Sequence, residues 1–113
     1  MIRPSKIKVN HLEVPIKLCS GEQAETEGYH GWFDPRKVEI CMQEDLSPMF
    51  FREILLHEVL HAIFHAYRLA GDMSGSPQKK KYTEEDIVLR LAPAIMAFIK
   101  DNPDFIRWLK GSR

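Results

Sequence analysis

The amino-acid sequence predicts an α+β fold, in which a small antiparallel sheet of about three strands packs on a central helix. The first part of the chain alternates apolar and polar residues, which is the period of half-buried strands. A long stretch without Pro or Gly follows, from Met49 to Leu69, and apolar residues at helical spacing continue beyond it. With 113 residues, the chain suits one domain, 1–113, and is too short for two.

Strand periodicity is clear before the central helix, and about three of these segments are predicted to form the sheet. The segments are 7–9, 12–18, 29–33 and 37–42. Pro15 favours an edge strand or a bulge, because proline cannot donate to a ladder. The turn Asp34-Pro35-Arg36 predicts a hairpin from the last two segments. Residues 20–26 are polar and contain Gly21, which predicts a loop.

Three helices are predicted after the strands, and they span 48–69, 83–100 and 103–110. Ser47 followed by Pro48 is the sequence of an N-cap and a first helical residue. The central helix is apolar on most of its circumference, which predicts burial on nearly all sides. Pro93 is expected to kink the second helix. The stretch 71–81, rich in Gly, Ser and Lys, is predicted to be a surface loop.

The stretch His57-Glu58-Val59-Leu60-His61 reads H-E-x-x-H and carries the functional prediction. Residues four apart lie on one face of a helix, so the two imidazoles can reach a single Zn²⁺ ion. Glu58 lies about 100° around the helix, where a carboxylate can border the metal without being a ligand. A buried helix must also satisfy these polar groups, and a metal does so. The alternative is a metal-free core with two hydrogen-bonded histidines.

A catalytic zinc site usually has a third protein ligand. His65 is excluded, because eight residues of helix separate it from His57 by about 12 Å. Glu84 and Glu85 open the second helix and can face the metal if the helices pack side by side, and Asp72 is a further candidate. Periodicity slightly favours Glu84, which shares the main apolar stripe of its helix.

The segment Glu-Ile-Leu-Leu-His-Glu-Val-Leu-His-Ala-Ile-Phe-His (53–65), between a strand hairpin and a Glu-Glu helix, resembles small gluzincin-like proteins of phages and prophages. These are related to the ImmA/IrrE metallopeptidase domain, and the resemblance covers residues 28 to 105. In that family a glutamate precedes a Phe-Ala pair by six to seven residues. Leu91-Ala92 looks like the counterpart of that pair, so the resemblance places the third ligand on Glu85. Val88 stands where the family has a small residue.

The expected function is that of a zinc-dependent endopeptidase that acts on a specific protein or peptide. Zinc on His57, His61 and Glu85 would activate a bound water, and Glu58 would take its proton. Candidates for stabilising the oxyanion are Tyr29, His30, Tyr67 and Tyr82. The alternative is a non-enzymatic zinc-binding module that captures a host protein, as a phage protein can.

Composition excludes other classes of protein. Sixteen basic and sixteen acidic residues give no net charge, so no binding to nucleic acid is expected. No apolar stretch is long enough for a membrane span, and the first residues do not resemble a signal peptide, so a cytoplasmic protein is expected. Cys19 and Cys41 are expected to be reduced thiols, without a spacing that supports metal binding.

Overall fold

The computed structural model describes residues 3–69 and 83–111, and these form four strands and four helices. The strands are β1 (Lys6–Val9), β2 (Leu12–Cys19), β3 (Gly31–Asp34) and β4 (Glu39–Gln43). The helices are α1 (Gly21–Glu27), α2 (Pro48–Ala66), α3 (Glu84–Asp101) and α4 (Pro103–Leu109). The predicted α+β class is therefore confirmed, and the three helices expected after the strands are present.

The sheet differs from the prediction in strand number and direction. It has four strands in the order β1-β2-β4-β3 and is mixed, because β2 and β4 run parallel while the other two pairs are antiparallel. The long strand β2 serves two neighbours in turn: its first half pairs with β1 and its second half with β4. The β3–β4 hairpin was predicted correctly, but the parallel pair joins segments distant in the sequence.

Pro15 lies in an inner strand rather than at an edge, and the change of partner explains why it is tolerated. The Ile16 N–H donates to the Ser5 carbonyl on the β1 side at 2.8 Å. Since successive N–H groups point to opposite sides of a strand, the nitrogen of Pro15 faces the β4 side. The ladder with β4 begins one residue later, at Ile16. No ladder hydrogen bond is lost.

Residues 20–26, predicted as a loop, instead contain most of helix α1. The Ser20 hydroxyl accepts a hydrogen bond from the Gln23 N–H at 3.1 Å and caps the helix. Gly28 ends it with φ of 81°, the left-handed conformation that glycine adopts without strain. Ala24 is the buried residue of this helix, so its seven residues carry no apolar periodicity to detect.

Helix α2 lies across the sheet and contacts β3 and β4 most. It begins at Pro48 as predicted, after Ser47 in the N-cap position, and ends at Ala66. One side is in the core: the buried residues are Phe51, Leu55, Glu58, Val59, Ala62 and Ile63. Met49, Leu56 and Leu60 are exposed on another side, so the expected burial on nearly all sides is wrong.

Helix α3 begins after a complete capping box between Thr83 and Asp86 and continues through Pro93. Its Ala94 and Phe98 enter the core, and α4 adds two aromatic residues, Phe105 and Trp108. None of the helices in the described ranges is long and apolar enough to cross a membrane.

The junction of α3 and α4 is tied to the edge strand β1 by one buried amide. The Asn102 side chain donates to the Lys8 carbonyl at 2.7 Å and to the Phe98 carbonyl at 2.9 Å. Its Oδ1 accepts the Lys8 N–H at 2.7 Å. Asn102 thus satisfies both backbone groups of a residue on β1.

Replacing Asn102 with Ala is expected to lower the free energy of unfolding by about 2–4 kcal/mol. The change removes three hydrogen bonds and leaves backbone groups partly buried without partners, at about 1–3 kcal/mol for each unsatisfied group. Urea denaturation followed by circular dichroism measures the loss. Asp101→Ala, at the exposed neighbouring position, is the control. An Asn102→Ala midpoint equal to that of the control would contradict this role.

Candidate metal and catalytic site

Two imidazoles converge on the exposed side of α2. His57 and His61 stand one turn apart, with 3.2 Å between their Nε2 atoms and 4.9 Å between ring centroids. Two nitrogens bound to one tetrahedral zinc, each at 2.0–2.1 Å, lie about 3.3 Å apart. The pair therefore fits a zinc ion that enters from solvent. Because both imidazoles are exposed, the alternative of two core histidines is wrong.

Glu58, between the two histidines, points inward. It is 7% exposed, and its carboxyl faces the backbone N–H of Phe33 on β3. Burial raises the pKa of the Glu58 carboxyl, while the charges of His57 and His61, and this N–H, oppose that rise. A carboxylate with a raised pKa is a better proton acceptor near neutral pH. The motif thus combines exposed metal-type ligands with a buried base.

An open cleft of about 1130 Å³ is lined by residues of α2 and β3, among them Glu58 and His61. Strand β3 is at the edge of the sheet. The Gln43 N–H donates to the His30 carbonyl at 2.8 Å, which sets the alternation of the antiparallel pair. Gly31 and Phe33 therefore present their backbone groups at the free edge, and the Glu58 carboxyl faces the N–H of Phe33.

Gly31 allows this edge strand to lie close to α2. A Cβ atom at this position would stand 2.6 Å from the Met42 sulfur and 3.0 Å from Cγ2 of Ile54. Any larger residue would have to displace the side chains of Met42 on β4 and Ile54 on α2. The sequence shows a glycine before Trp32 but not why it is needed. The neighbours that leave no room for a Cβ atom, Met42 and Ile54, lie on β4 and α2.

The third metal ligand is not defined by the part of the chain that the structure describes. Within residues 3–69 and 83–111, no group of three or more His, Cys, Asp or Glu side chains converges. Glu84 and Glu85 are exposed in the first turn of α3. Glu84 lies on the side of α3 that turns to the core, whereas Glu85 shares the side of Leu89, which is 66% exposed. Asp72 lies outside the described residues, and Glu85 stays a prediction.

The remaining sequence candidates are placed as follows. The ring of His65 packs against Phe33, with ring centroids 5.4 Å apart, and does not join the His57–His61 pair. His65 also lines the cleft. Among the oxyanion candidates, Tyr29 lines the cleft. His30 bonds through Nδ1 to the Gln43 amide oxygen, and Tyr67 packs against the core. Tyr82 and the predicted loop 71–81 lie outside the described residues.

Sequence reasoning missed His11, Phe64 and Arg68, which also line the cleft. His11 comes from the β1–β2 turn, far from the motif in the sequence, so no local pattern could reveal it. Arg68 follows the end of α2 and has φ of 56°, a left-handed conformation unusual for a residue other than glycine. That outlier is visible in the structure alone.

The two cysteines lie on the sheet face opposite α2. Ile40 and Met42 point into the core, and the alternation of β4 turns Cys41 to the other face. Its thiol donates to Oε2 of Glu39 at 3.6 Å. Cys19 lines the same shallow pocket on that face. Neither thiol can join the imidazole pair, which agrees with the absence of a metal-binding spacing.

Burial, followed by the nearby Glu39 carboxylate, raises the pKa of the Cys41 thiol to about 11 from an ordinary 9.0. At pH 7–9, we therefore expect iodoacetamide to alkylate Cys41 about 100-fold more slowly than an exposed thiol, because the thiolate is the nucleophile. The rate should rise about tenfold per pH unit without levelling off. Mass spectrometry of a Cys19→Ser variant measures it, and a plateau below pH 9 would contradict the raised pKa.

Comparison with protein-family models, with curated proteins and with solved structures finds no match.

Proposed function

We propose that this protein is a zinc-dependent peptidase that cleaves a protein or peptide, built as a minimal zincin-like domain. The observation that carries the proposal is the 3.2 Å separation of the His57 and His61 Nε2 atoms, with a buried glutamate between them at a peptide-sized cleft. The resemblance of residues 53–65 to the ImmA/IrrE metallopeptidase domain supports the same class.

In this proposal, three parts of the chain have separate roles: the metal ligands, the general base and the substrate-binding strand. His57 and His61 hold the zinc ion, with Glu85 as the proposed third ligand. Bound zinc would supply Lewis acidity and a nucleophile at neutral pH. The Glu58 carboxylate takes a proton from the attacking water and returns it to the leaving amine. The free edge of β3 binds the substrate as an added strand, through the backbone groups of Gly31 and the carbonyl of Phe33.

A non-enzymatic zinc-binding module is the second candidate, and the surface of α2 favours it. Met49 is 79% exposed, and Leu56 and Leu60 are also exposed beside the histidines. Apolar side chains around a metal site suit a protein partner that is held rather than cleaved. In that case the zinc would shape a docking surface, and the partner would be recovered intact.

Metal content and chelator-sensitive cleavage test the proposed function. Purified protein should contain about one zinc ion per chain and cleave members of a peptide library, as read by mass spectrometry. Removal of zinc should stop cleavage, and restoring it should recover cleavage. Zinc binding without any cleavage would favour the docking module, and protein that stays metal-free in zinc-replete buffer would reject both.

A further inference from the structure

The charges around the cleft are unbalanced. Among the described residues that line it, Glu58 is the one carboxylate, and it is 7% exposed and faces the backbone N–H of Phe33. Besides His61 and the indole of Trp32, the cleft is lined by the nitrogen-bearing side chains of His11, His65 and Arg68. Arg68 is charged at any physiological pH, and an imidazole carries an N–H donor even when neutral. The rim of this cleft therefore offers donors and positive charge to whatever binds.

The remaining wall is aromatic. Tyr29, Trp32, Phe33 and Phe64 contribute rings to the cleft. Such a wall accepts an apolar side chain and gains from its removal from water. The ring of Phe33 also contacts His65, so the aromatic and donor parts of the cleft are continuous.

We propose that the cleft selects peptides in which an apolar residue is accompanied by a carboxylate two to three residues from the scissile bond. The proposal rests on the proposed function and names its substrate class. On α2, His65 lies about 6 Å beyond His61 along the axis, at 1.5 Å per residue, and Arg68 follows the end of the helix. An extended peptide rises about 3.3 Å per residue, so His65 corresponds to about two positions and Arg68 to a position further along.

The backbone of Arg68 identifies a substitution that removes its side chain without strain. Arg68 follows Tyr67, the C-cap of α2, and its φ of 56° is the left-handed conformation with which helices commonly end. Glycine is the usual residue at such a position. Arg68→Gly therefore deletes the guanidinium and keeps the helix end.

Binding to the Glu58→Gln variant tests the proposal without requiring turnover. Trp32 lines the cleft, so its fluorescence reports peptide binding. The probes are three extended hexapeptides, all amidated at the C terminus, and each has one aromatic residue. They are identical except for a Glu, Gln or Lys three positions away from that aromatic residue. A fourth carries Gln and a free terminal carboxylate at that spacing. It separates a terminal carboxylate from a side-chain one.

The Glu peptide is expected to bind about tenfold more tightly than the Lys peptide, as one charge-assisted hydrogen bond implies. Arg68→Glu should reverse the order. Arg68→Gly should abolish the preference without lowering Tm, because glycine relieves the backbone. Lys110→Glu makes the same charge change at an exposed position that does not line the cleft, and it should leave the preference intact.

Equal affinities for the Glu, Gln and Lys peptides would overturn the proposal, and so would the absence of any binding. An equal effect of Lys110→Glu and Arg68→Glu would also overturn it, because only the net charge would then matter. A preference for Glu with no cleavage by the wild-type protein would support carboxylate selection and reject the peptidase. Cleavage by the wild type without that preference would reject carboxylate selection and support the peptidase.

Discussion

Glu58→Gln is expected to lower kcat by about 10²–10⁴-fold, the usual contribution of a general base, while zinc stays bound. The amide has the shape of the carboxylate, and its oxygen can face the Phe33 backbone N–H as the carboxyl does. It cannot take a proton from water. The substitution therefore removes one chemical step and leaves the packing of α2 on β3 in place.

Peptide cleavage and zinc content are measured on the same preparations of this variant. Glu53→Gln is the matched control, because Glu53 is an exposed glutamate on the same helix, one turn before the motif. The control should keep both properties. If Glu58→Gln turns over substrate at the wild-type rate, the general base lies elsewhere. If both forms retain an intact protein partner and cleave nothing, the docking module is the correct function.

The features predicted correctly are those that short segments determine. The start of α2 follows from Ser47 and Pro48, because a cap and a first-turn proline act locally. The convergence of His57 and His61 follows from helix geometry alone, since a four-residue spacing places two side chains on adjacent turns. Neither needs knowledge of the sheet.

The features predicted wrongly depend on contacts between distant segments. The parallel pairing of β2 with β4 sets Ile16 beside Ile40, and no periodicity within either strand encodes that neighbour. The exposed side of α2 was also misjudged. Leu56 and Leu60 look like core residues in the sequence, but the sheet covers the opposite side of the helix.

The candidate site, too, was predictable only where a short segment determines it. The roles of His57, Glu58 and His61 come from the motif, but the contact of Glu58 with Phe33 joins an edge strand to the helix and required the structure. The third ligand depends on the rotation of α3 about its axis. The observed rotation turns Glu84 toward the core side, whereas the family resemblance indicates Glu85, so the choice requires a metal-binding measurement.

His61→Ala is expected to weaken zinc binding by more than about 100-fold, because even outer-shell partners of a metal ligand contribute about 10–100-fold. The imidazole is exposed, so the apo protein should unfold within about 0.5 kcal/mol of wild type. Loss of zinc would then not be a consequence of unfolding. Competition with a chromogenic zinc chelator measures the affinity.

His65→Ala is the control for that variant, because His65 lies one further turn along α2 and packs on Phe33 rather than joining the pair. It should change zinc affinity by less than about tenfold. The same titration of Glu84→Gln and Glu85→Gln identifies the third ligand, since removal of a ligand should weaken binding as His61→Ala does. Loss confined to Glu85→Gln supports the family resemblance, and loss confined to Glu84→Gln supports the observed orientation of α3. Equal zinc affinity of wild type and His61→Ala would mean that the imidazole pair does not bind the ion, and the peptidase proposal would fail with it.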